Sequence, residues 1–233
     1  MNTTTSKQMY CTLNESPAAD VLNALYADAA AQRAKHDQGS HKPRPDFENM
    51  TPLERFTHAK DAYMPIDRPF GNFLYSTIRA SRPQCVVEFG TSFGISTIFQ
   101  AAAVRDNGVG RIVTTEFIET KAAKAKQNLT EAGLVDLIDF RVGDAMQTLL
   151  EPLPAPVDYL FLDGEKSMYI DIVKLLEPFM KSGCLIASDN TDSPGAATYL
   201  DYMRDPANGY ISTPMLTPGD HKGHSGHELS VRL

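Results

Sequence analysis

From Gln84 onward, short apolar segments alternate with longer stretches of helical periodicity, and this alternation constrains the fold more than any other feature of the chain. Five apolar segments are candidate strands: CVVEF (85–89), RIVTTE (111–116), LIDFRV (137–142), VDYLFLD (157–163) and GCLIASD (183–189). The segments between them have helical periodicity, near 94–105, 119–132, 144–151 and 169–181. Near-continuous apolar strands separated by helices predict a parallel sheet that is covered by helices on both faces.

The end of the chain departs from this alternation. A helical stretch near 195–204 is followed by two candidate strands, around 209–216 and 227–233, with a polar turn between them. Two strands joined by a turn pair in antiparallel fashion. We therefore expect an α/β fold with a doubly wound, Rossmann-like, mostly parallel sheet, a C-terminal antiparallel hairpin and an N-terminal helical extension.

The first sixty-odd residues have helical signals but no strand signals. Ser16-Pro17 is a helix start that Gly39 closes, and Thr51 to Glu54 has the form of a capping box before a second helix. A third helix is expected near Arg68 to Arg79. We expect residues 1–63 to form a helical segment, a lid or a dimer arm, and residues 64–233 to form the main domain. The apolar stripe of the first helix favours a homodimer, although packing on its own domain would bury it equally well.

The composition of the chain limits the classes of binding partner and the cellular location that we expect. The net charge is −7 with a pI near 5.3, which argues against a nucleic acid or an anionic membrane as the main partner. No apolar run approaches the ~20 residues of a membrane span, and the first residues do not resemble a secretory signal. The odd number of cysteines, 3, shows no motif spacing, and Cys85 and Cys184 lie in apolar runs. These features predict a cytoplasmic protein in a reducing environment.

The residues after the first three strands outline a nucleoside pocket, because ligands of such sheets bind beyond the carboxyl ends of the strands. Gly90 and Gly94 follow the first strand in a G-x-x-x-G spacing, which differs from the G-x-G-x-x-G of dinucleotide-binding proteins and does not favour a pyrophosphate. Glu116 follows the second strand, where an acid commonly accepts hydrogen bonds from ribose hydroxyls. Gly143-Asp144 follows the third strand and could contact an adenine edge. The alternative interpretation is that these residues only form tight turns after the strands and bind no nucleoside.

Oxygen-bearing side chains follow the next two strands. Asp163 comes after the fourth strand, and Asp189 and Asn190 come after the fifth. Two carboxylates and an amide carbonyl are ligands that suit a hard cation such as Mg²⁺. The alternative is that Asp189 and Asn190 only cap a turn.

On these residues the sequence resembles the class I S-adenosylmethionine-dependent methyltransferases, and within them the metal-dependent catechol and caffeoyl-CoA O-methyltransferases. The resemblance covers about residues 64–233 and rests on VVEFGTSFGIS, on Glu116 and on the acids after the fourth and fifth strands. It implies S-adenosylmethionine as cofactor, held by Ile66, Glu88, Gly90, Thr91, Ser92, Ser96, Glu116, Phe117, Asp144, Ala145 and Asp163. It also implies a divalent cation, Mg²⁺, on Asp163, Asp189 and Asn190, and a catalytic pair formed by Lys166, as general base, and Asp163.

The acceptor is expected to be a small, catechol-like molecule that is methylated on a hydroxyl. Lys166, Asn190, Asp220 and His221 are candidate acceptor contacts. The chain has no tryptophan, and Gly164 stands where relatives often carry a larger residue, so the acceptor's identity does not follow from the resemblance.

Some residues and activities have competing interpretations. His221, His224 and His227 are more consistent with a solvated turn than with ligands, and Lys121, Lys124 and Lys126 with a solvated helix face. Three other functions stay open: a metal-independent methyltransferase acting on an amine or a carboxylate, a non-catalytic nucleoside-binding protein, and an NAD(P)-dependent oxidoreductase. The missing G-x-G-x-x-G disfavours the oxidoreductase.

Overall fold

A computed structural model of the chain describes residues 11–39, 50–216 and 226–233. Its seven strands form a single sheet in the order β3-β2-β1-β4-β5-β7-β6. They are β1 (Cys85–Phe89), β2 (Arg111–Glu116), β3 (Ile138–Val142), β4 (Val157–Leu162), β5 (Met180–Ser188), β6 (Tyr210–Leu216) and β7 (Gly226–Arg232). The first five strands run parallel, and β7 pairs antiparallel with both β5 and β6. The predicted doubly wound sheet with a C-terminal antiparallel hairpin is confirmed.

Eight α-helices surround the sheet in the described residues. They are α1 (Ala18–Gly39), α2 (Pro52–His58), α3 (Arg68–Ser81), α4 (Ile95–Asn107), α5 (Glu119–Glu131), α6 (Ala145–Thr148), α7 (Tyr169–Leu176) and α8 (Ala197–Arg204). Two buried apolar clusters contain the inward-facing residues of the sheet, one mainly with α1, α3 and α4 and the other with α7 and α8. The helices therefore cover both faces, as near-continuously apolar strands require.

One predicted boundary is wrong. The helix expected over 169–181 ends at Leu176, and β5 already begins at Met180. Pro178 lies between them, and a proline cannot donate the backbone hydrogen bond that would continue an α-helix. The additional residues lie at the start of β5, and at its other end Ser188 pairs with Leu162 of β4, so both strands end at the same level.

The N-terminal helices pack on the rest of the chain. Leu22 and Leu25 of α1 are 2% and 3% exposed and belong to the same apolar cluster as residues of α3 and α4. The predicted capping box is present, because Thr51 Oγ1 accepts from the backbone N–H of Glu54 while the Glu54 carboxylate accepts from that of Thr51. The apolar stripe of α1 is thus buried within its own chain. The boundary between residues 1–63 and 64–233, and the homodimer, stay predictions.

A short strap, residues 61–66, runs between α2 and α3. Gln32 of α1 holds it at two backbone positions: the Gln32 amide N–H donates to the carbonyl of Asp61 at 2.7 Å, and its oxygen accepts from the N–H of Tyr63 at 2.8 Å. The hydroxyl of Tyr26 also donates to the carbonyl of Ile66 at 2.9 Å. Because a backbone held at several points has little freedom, α1 determines where the strap lies.

The cysteines and the helix lengths agree with the composition. All three cysteines are free thiols, and Cys85 and Cys184 are buried as expected. Across the described ranges, no helix combines the length and the apolar character needed to cross a membrane.

Candidate active site

A cavity of about 800 Å³ lies at the carboxyl ends of the parallel strands. Each of the five strands contributes to its lining at or just beyond its last residue, with Phe89, Glu116, Gly143, Asp163 and Asp189 respectively. The chain therefore brings together the strand-end residues that the sequence singled out. The arrangement agrees with the general location of ligands in open α/β sheets.

The glycine turn after β1 closes tightly against β4. Gly90 has φ +103°, and a Cβ at this position would lie 2.8 Å from backbone atoms of Asp163, so no larger residue fits. Ser92 follows in a left-handed conformation, with φ +48°. Together with Tyr63, Ile66 and Phe93, these residues line a narrow groove that shares part of its wall with the cavity.

Glu88, predicted to hold the cofactor, lies fully buried beneath this turn. Its carboxylate accepts hydrogen bonds from Ser96 Oγ at 2.7 Å and from Thr97 Oγ1 at 2.6 Å. The Thr114 hydroxyl, at 2.6 Å, and the Gln100 amide donate to it as well. Burial raises the pKa of Glu88, and the four hydrogen bonds act in the opposite direction. Glu88 is therefore the centre of a polar network that supports the turn, and it does not line the cavity.

Glu116 and Asp144 are exposed to the cavity but already bind backbone groups. Glu116 accepts from the N–H of Ser92 at 2.8 Å and from that of Ile118 at 2.9 Å, so it fixes the turn after β1 relative to β2. Burial raises its pKa, while these hydrogen bonds lower it. Asp144 accepts from the N–H of Met146 at 2.9 Å and caps α6. Phe117 and Ala145 line the cavity beside them.

Asp163 and Asp189 follow adjacent strands. The N–H of Asp163 donates to the carbonyl of Phe89, and the N–H of Asp189 donates to that of Leu162, each at 2.9 Å, so the ladder continues past the strand ends. Lys166 Nζ lies 3.0 Å from Asp163 Oδ1, and both side chains are 17% exposed. Burial raises the pKa of Asp163, the Lys166 ammonium lowers it, and Asp189 raises it further. Two carboxylates, Asp163 and Asp189, therefore lie close together here beside the Lys166 ammonium, and we call this group, with Asn190, the acidic corner.

Asn190 and Tyr169 define the shape of this acidic corner. Asn190 has φ +51°, a left-handed conformation that costs an L-residue about 1 kcal/mol and that is common at functional sites. The hydroxyl of Tyr169 lies 2.9 Å from the carbonyl of Leu162 and 3.0 Å from that of Asp189, so it joins the two strand ends. No group of three or more His, Cys, Asp and Glu side chains forms a metal site within the described residues. The candidate donors are two carboxylates and one amide.

His227 does not lie in a solvated turn, and this prediction is wrong. It is 4% exposed in β7, with Nδ1 2.7 Å from Asp189 Oδ1 and its ring stacked on that of Phe70 at 3.9 Å. The cause is topological, because β7 runs antiparallel beside β5 and its first residues meet the last residues of β5. Asp220, His221 and His224 lie outside the described residues.

Lys121 was expected on a solvated helix face, and this is also wrong. It is 3% exposed and lines the cavity, whereas Lys126 of the same helix is exposed. A sequence signal was available: Lys121 shares one helix stripe with Ala125 and Leu129, which are buried.

Residues ahead of the strap complete the cavity, although no motif marked them. Arg33 of α1 and Thr51 and Phe56 near α2 line it. Arg55 of α2 also pairs with Glu165, with 3.2 Å between Nη2 and Oε2. Residues of the N-terminal segment thus contribute to the lining of the cavity, and its role as a lid stays a prediction.

Comparisons with known proteins identify methyltransferases as the relatives of this chain. The methyltransferase domain family matches residues 87–191. The catechol O-methyltransferase of Mycobacterium tuberculosis is 32% identical over 174 residues, which are 69% of this chain and 77% of that protein. The mouse enzyme of the same name is 29% identical over 192 residues, 79% of this chain and 71% of that protein.

Other matches include a second bacterial relative and two solved structures. A catechol O-methyltransferase from Niastella koreensis is 32% identical over 128 residues, which are 54% of this chain and 57% of that relative. The crystal structure of cofactor-bound Rv0187 from MTB has a TM-score of 0.68 and 25% identity, over 86% of this chain and 95% of that one. An O-methyltransferase from Streptomyces achromogenes in complex with SAM has the same fold, with a TM-score of 0.66 and 24% identity, over 85% and 94% of the two chains. Sequence, fold and strand-end site therefore agree, and the chain belongs to the class I S-adenosylmethionine-dependent O-methyltransferases.

Proposed function

We propose that the chain transfers a methyl group from S-adenosylmethionine to a hydroxyl of a small, catechol-like acceptor, with a divalent cation, Mg²⁺, and with Lys166 as general base. The observation that carries the proposal is the acidic corner, where Lys166 contacts Asp163 beside Asp189 and Asn190 at the cavity. The names of the relatives support the acceptor class, since those from M. tuberculosis and mouse are catechol O-methyltransferases.

The cofactor would lie across the ends of β1, β2 and β3. We assign the ribose to Glu116 and the adenine to Phe117, Asp144 and Ala145. We assign the amino-acid end to the groove, where Ile66, Gly90, Thr91, Ser92 and Ser96 lie. Glu88 would act through the turn that it supports. S-adenosylmethionine supplies an electrophilic methyl group, so the protein's task is to align it with the acceptor oxygen.

The donor set of the acidic corner fits a hard cation. Asp163, Asp189 and Asn190 offer only oxygen atoms, the ligand type that Mg²⁺ prefers, and water would complete the shell. The raised pKa of Asp163 reflects burial close to a second carboxylate, a situation that a dication relieves. When bound, the cation supplies positive charge that favours the deprotonated form of a neighbouring hydroxyl.

Lys166 would act as the neutral amine: its ammonium would first release a proton to solvent, and Nζ would then take the proton of the acceptor hydroxyl. The side chain is 17% exposed, and its ammonium also lies 5.3 Å from the centre of the Tyr169 ring, which limits its movement. A base held at a fixed distance from the acceptor transfers the proton without a search for alignment. Lys166 and Asn190 are therefore our acceptor contacts among the described residues. The corresponding roles of Asp220 and His221 stay predictions.

Methyl transfer to a panel of catechols and monophenols, with Mg²⁺ and with EDTA in parallel, tests the proposal. We expect catechol turnover that EDTA abolishes, and we expect Asp163→Asn to lose it as well. Lys166→Met should lower kcat at least a hundredfold while S-adenosylhomocysteine affinity stays within about twofold, because removing a general base costs roughly 10²–10⁴ in rate. Full activity of Lys166→Met would contradict the role of Lys166 as general base. Turnover in EDTA would contradict the requirement for a divalent cation.

One observation favours a second candidate, a metal-independent methyltransferase acting on an amine or a carboxylate. Both carboxylates already contact a basic side chain, Asp163 through Lys166 and Asp189 through His227. Carboxylates that have side-chain partners of this kind do not require a metal ion. Turnover of an amine or a carboxylate acceptor that is unchanged by EDTA would select this alternative.

The partner predictions carry over as proposals. We propose a small-molecule acceptor, no nucleic acid or membrane partner, a homodimer and a cytoplasmic location. Sedimentation at several concentrations tests the homodimer, which requires a mass near 51 kDa, twice the 25.6 kDa of one chain.

A further inference from the structure

Lys121 is a buried cation that the proposed chemistry leaves without a task. It lies in the first turns of α5, is 3% exposed and lines the cavity. Its ammonium stands 5.4 Å from the centre of the Phe93 ring. In the part of the chain that the structure describes, no hydrogen bond engages this ammonium and no carboxylate lies within 4.0 Å of it. Burying a charge without a direct partner is costly, so such an arrangement points to a ligand.

The position of the ammonium relates the cavity to the groove. Phe93 belongs to the turn after β1, and its ring packs against that of Tyr63 in the strap at 4.7 Å. Both rings line the groove, and Tyr63 also lines the cavity. Lys121 therefore lines the cavity beside a ring, that of Phe93, which also lines the groove.

The charges around this point are mostly negative. Glu116, Asp61 and Asp163 all act on Lys121 and raise its pKa, whereas burial, the larger effect, lowers it. The other two cations of the described cavity lining are Lys166, which pairs with Asp163, and Arg33, which is exposed on α1. A carboxylate that enters the groove would thus be repelled by the acids and would find its favourable partner in Lys121.

We propose that Lys121 binds the carboxylate of the cofactor's amino-acid end, at the junction of the cavity and the groove formed by Tyr63 and Phe93. The amino-acid end of S-adenosylmethionine carries one ammonium and one carboxylate, and the neighbouring sulfonium is positive. The acids near the groove suit the positive groups, and Lys121 suits the negative one. Of the proposed function, this inference assumes only that S-adenosylmethionine is the cofactor. It does not depend on the identity of the acceptor or on the presence of a cation.

Two ligands that differ at this end separate the proposed contact from other roles. S-adenosylhomocysteine carries the amino-acid end, whereas 5′-methylthioadenosine has the same nucleoside and sulfur but lacks it. We would titrate both by calorimetry into the wild type, Lys121→Met and the control Lys126→Met, which removes an exposed lysine from the same helix. Methionine keeps an unbranched apolar stem and removes only the charge.

Lys121→Met should bind S-adenosylhomocysteine at least about tenfold more weakly than the wild type, since a hydrogen bond between charged groups is lost. Its affinity for 5′-methylthioadenosine should stay within about twofold, and Lys126→Met should match the wild type with both ligands. Lys121→Arg, which keeps a cation, should recover most of the lost affinity.

Equal loss of both ligands would overturn the proposal, because it would place the effect on the nucleoside or on the fold. Unchanged affinity for S-adenosylhomocysteine would overturn it too. Binding of 5′-methylthioadenosine reports folding in the same sample, and Lys121→Gln repeats the test with a polar side chain of similar length. No acceptor or cation is present, so the result stands apart from the EDTA assay.

Discussion

Replacing Glu88 tests whether this buried acid supports the turn after β1 or holds the cofactor directly. In the structure its carboxylate accepts from four side chains and has no exposure to solvent. Glu88→Ala removes all four acceptor contacts, whereas Glu88→Gln keeps the size and one carbonyl oxygen. The two variants therefore separate the loss of the network from the loss of the charge.

The expected loss in the free energy of unfolding depends on whether each donor finds another acceptor after Glu88 is replaced. Thr114 keeps a partner in Thr91, 2.5 Å away between hydroxyl oxygens, and the hydroxyls of Ser96 and Thr97 can turn to helix carbonyls. The Gln100 amide is left without an equivalent acceptor, at a cost of about 1–3 kcal/mol. With roughly 1 kcal/mol for each weakened hydroxyl contact, Glu88→Ala should lower the free energy of unfolding by about 4 kcal/mol and Glu88→Gln by about 1–2 kcal/mol.

Thermal unfolding followed by circular dichroism measures these differences. For a chain of this length, 1 kcal/mol corresponds to about 2–4 °C in Tm, so we expect a decrease of about 8–16 °C for Glu88→Ala. Burial raises the pKa of Glu88, so the folded state binds its proton more tightly than the unfolded state does. The stability of the wild type relative to Glu88→Gln should therefore fall as the pH rises from about 4 through the raised pKa.

The affinity for S-adenosylhomocysteine shows whether Glu88 acts through the turn or contacts the cofactor. If Glu88 acts through the turn, Glu88→Gln should bind S-adenosylhomocysteine within about threefold of the wild type. A loss beyond a hundredfold with an unchanged Tm would mean that the carboxylate touches the cofactor. A decrease of less than 1 kcal/mol for Glu88→Ala would mean that the network adds little to stability.

Three further variants probe the walls of the site. Gln32→Ala frees the strap at Asp61 and Tyr63, so S-adenosylhomocysteine affinity should fall several-fold while Tm changes by less than about 4 °C; unchanged affinity would show that α1 does not position the strap. Gly90→Ala introduces a Cβ 2.8 Å from the backbone of Asp163 at φ +103°. The free energy of unfolding should therefore fall by about 2 kcal/mol, and calorimetry should detect almost no binding of S-adenosylhomocysteine. Glu116→Ala should weaken 5′-methylthioadenosine about tenfold, since it carries the ribose, and S-adenosylhomocysteine at least as much, since its amino-acid end also lies at the turn that Glu116 fixes; unchanged binding of 5′-methylthioadenosine would argue against the ribose contact.

The strands and their terminal acids could be predicted because both depend on local or repeated patterns. An apolar run such as CVVEF is buried on both faces wherever the sheet forms, and acids such as Asp163 and Asp189 meet because parallel strands end at one edge. The capping box at Thr51 is local as well, and it is present. These features depend on residues that are close in the sequence or on a repeated pattern, so they can be predicted without knowledge of the tertiary packing.

His227 could not be placed in this way, because its burial depends on what packs opposite it. For Lys121 the stripe with Ala125 and Leu129 marks the buried side of the helix, but the sequence does not show what packs against it. Lysine at the edge of an apolar stripe is usually solvated, whereas the ammonium of Lys121 lies 5.4 Å from the centre of the Phe93 ring in the turn after β1. His227 follows a glycine-rich stretch that suggested a turn, and its contact with Asp189 arises from the position of β7 inside the sheet. Both errors concern tertiary packing rather than local structure.

The position of β7 also orders events during synthesis. β5 gains its second neighbour only when residues 226–232 have been made, after every other strand of the sheet. Until then β5 presents an open edge of nine residues, which can pair with another nascent chain. The same late segment carries His227 to Asp189. A chain that ends before Gly226 would therefore leave the edge of β5 unpaired and would lack the contact between His227 and Asp189, so we expect it to aggregate.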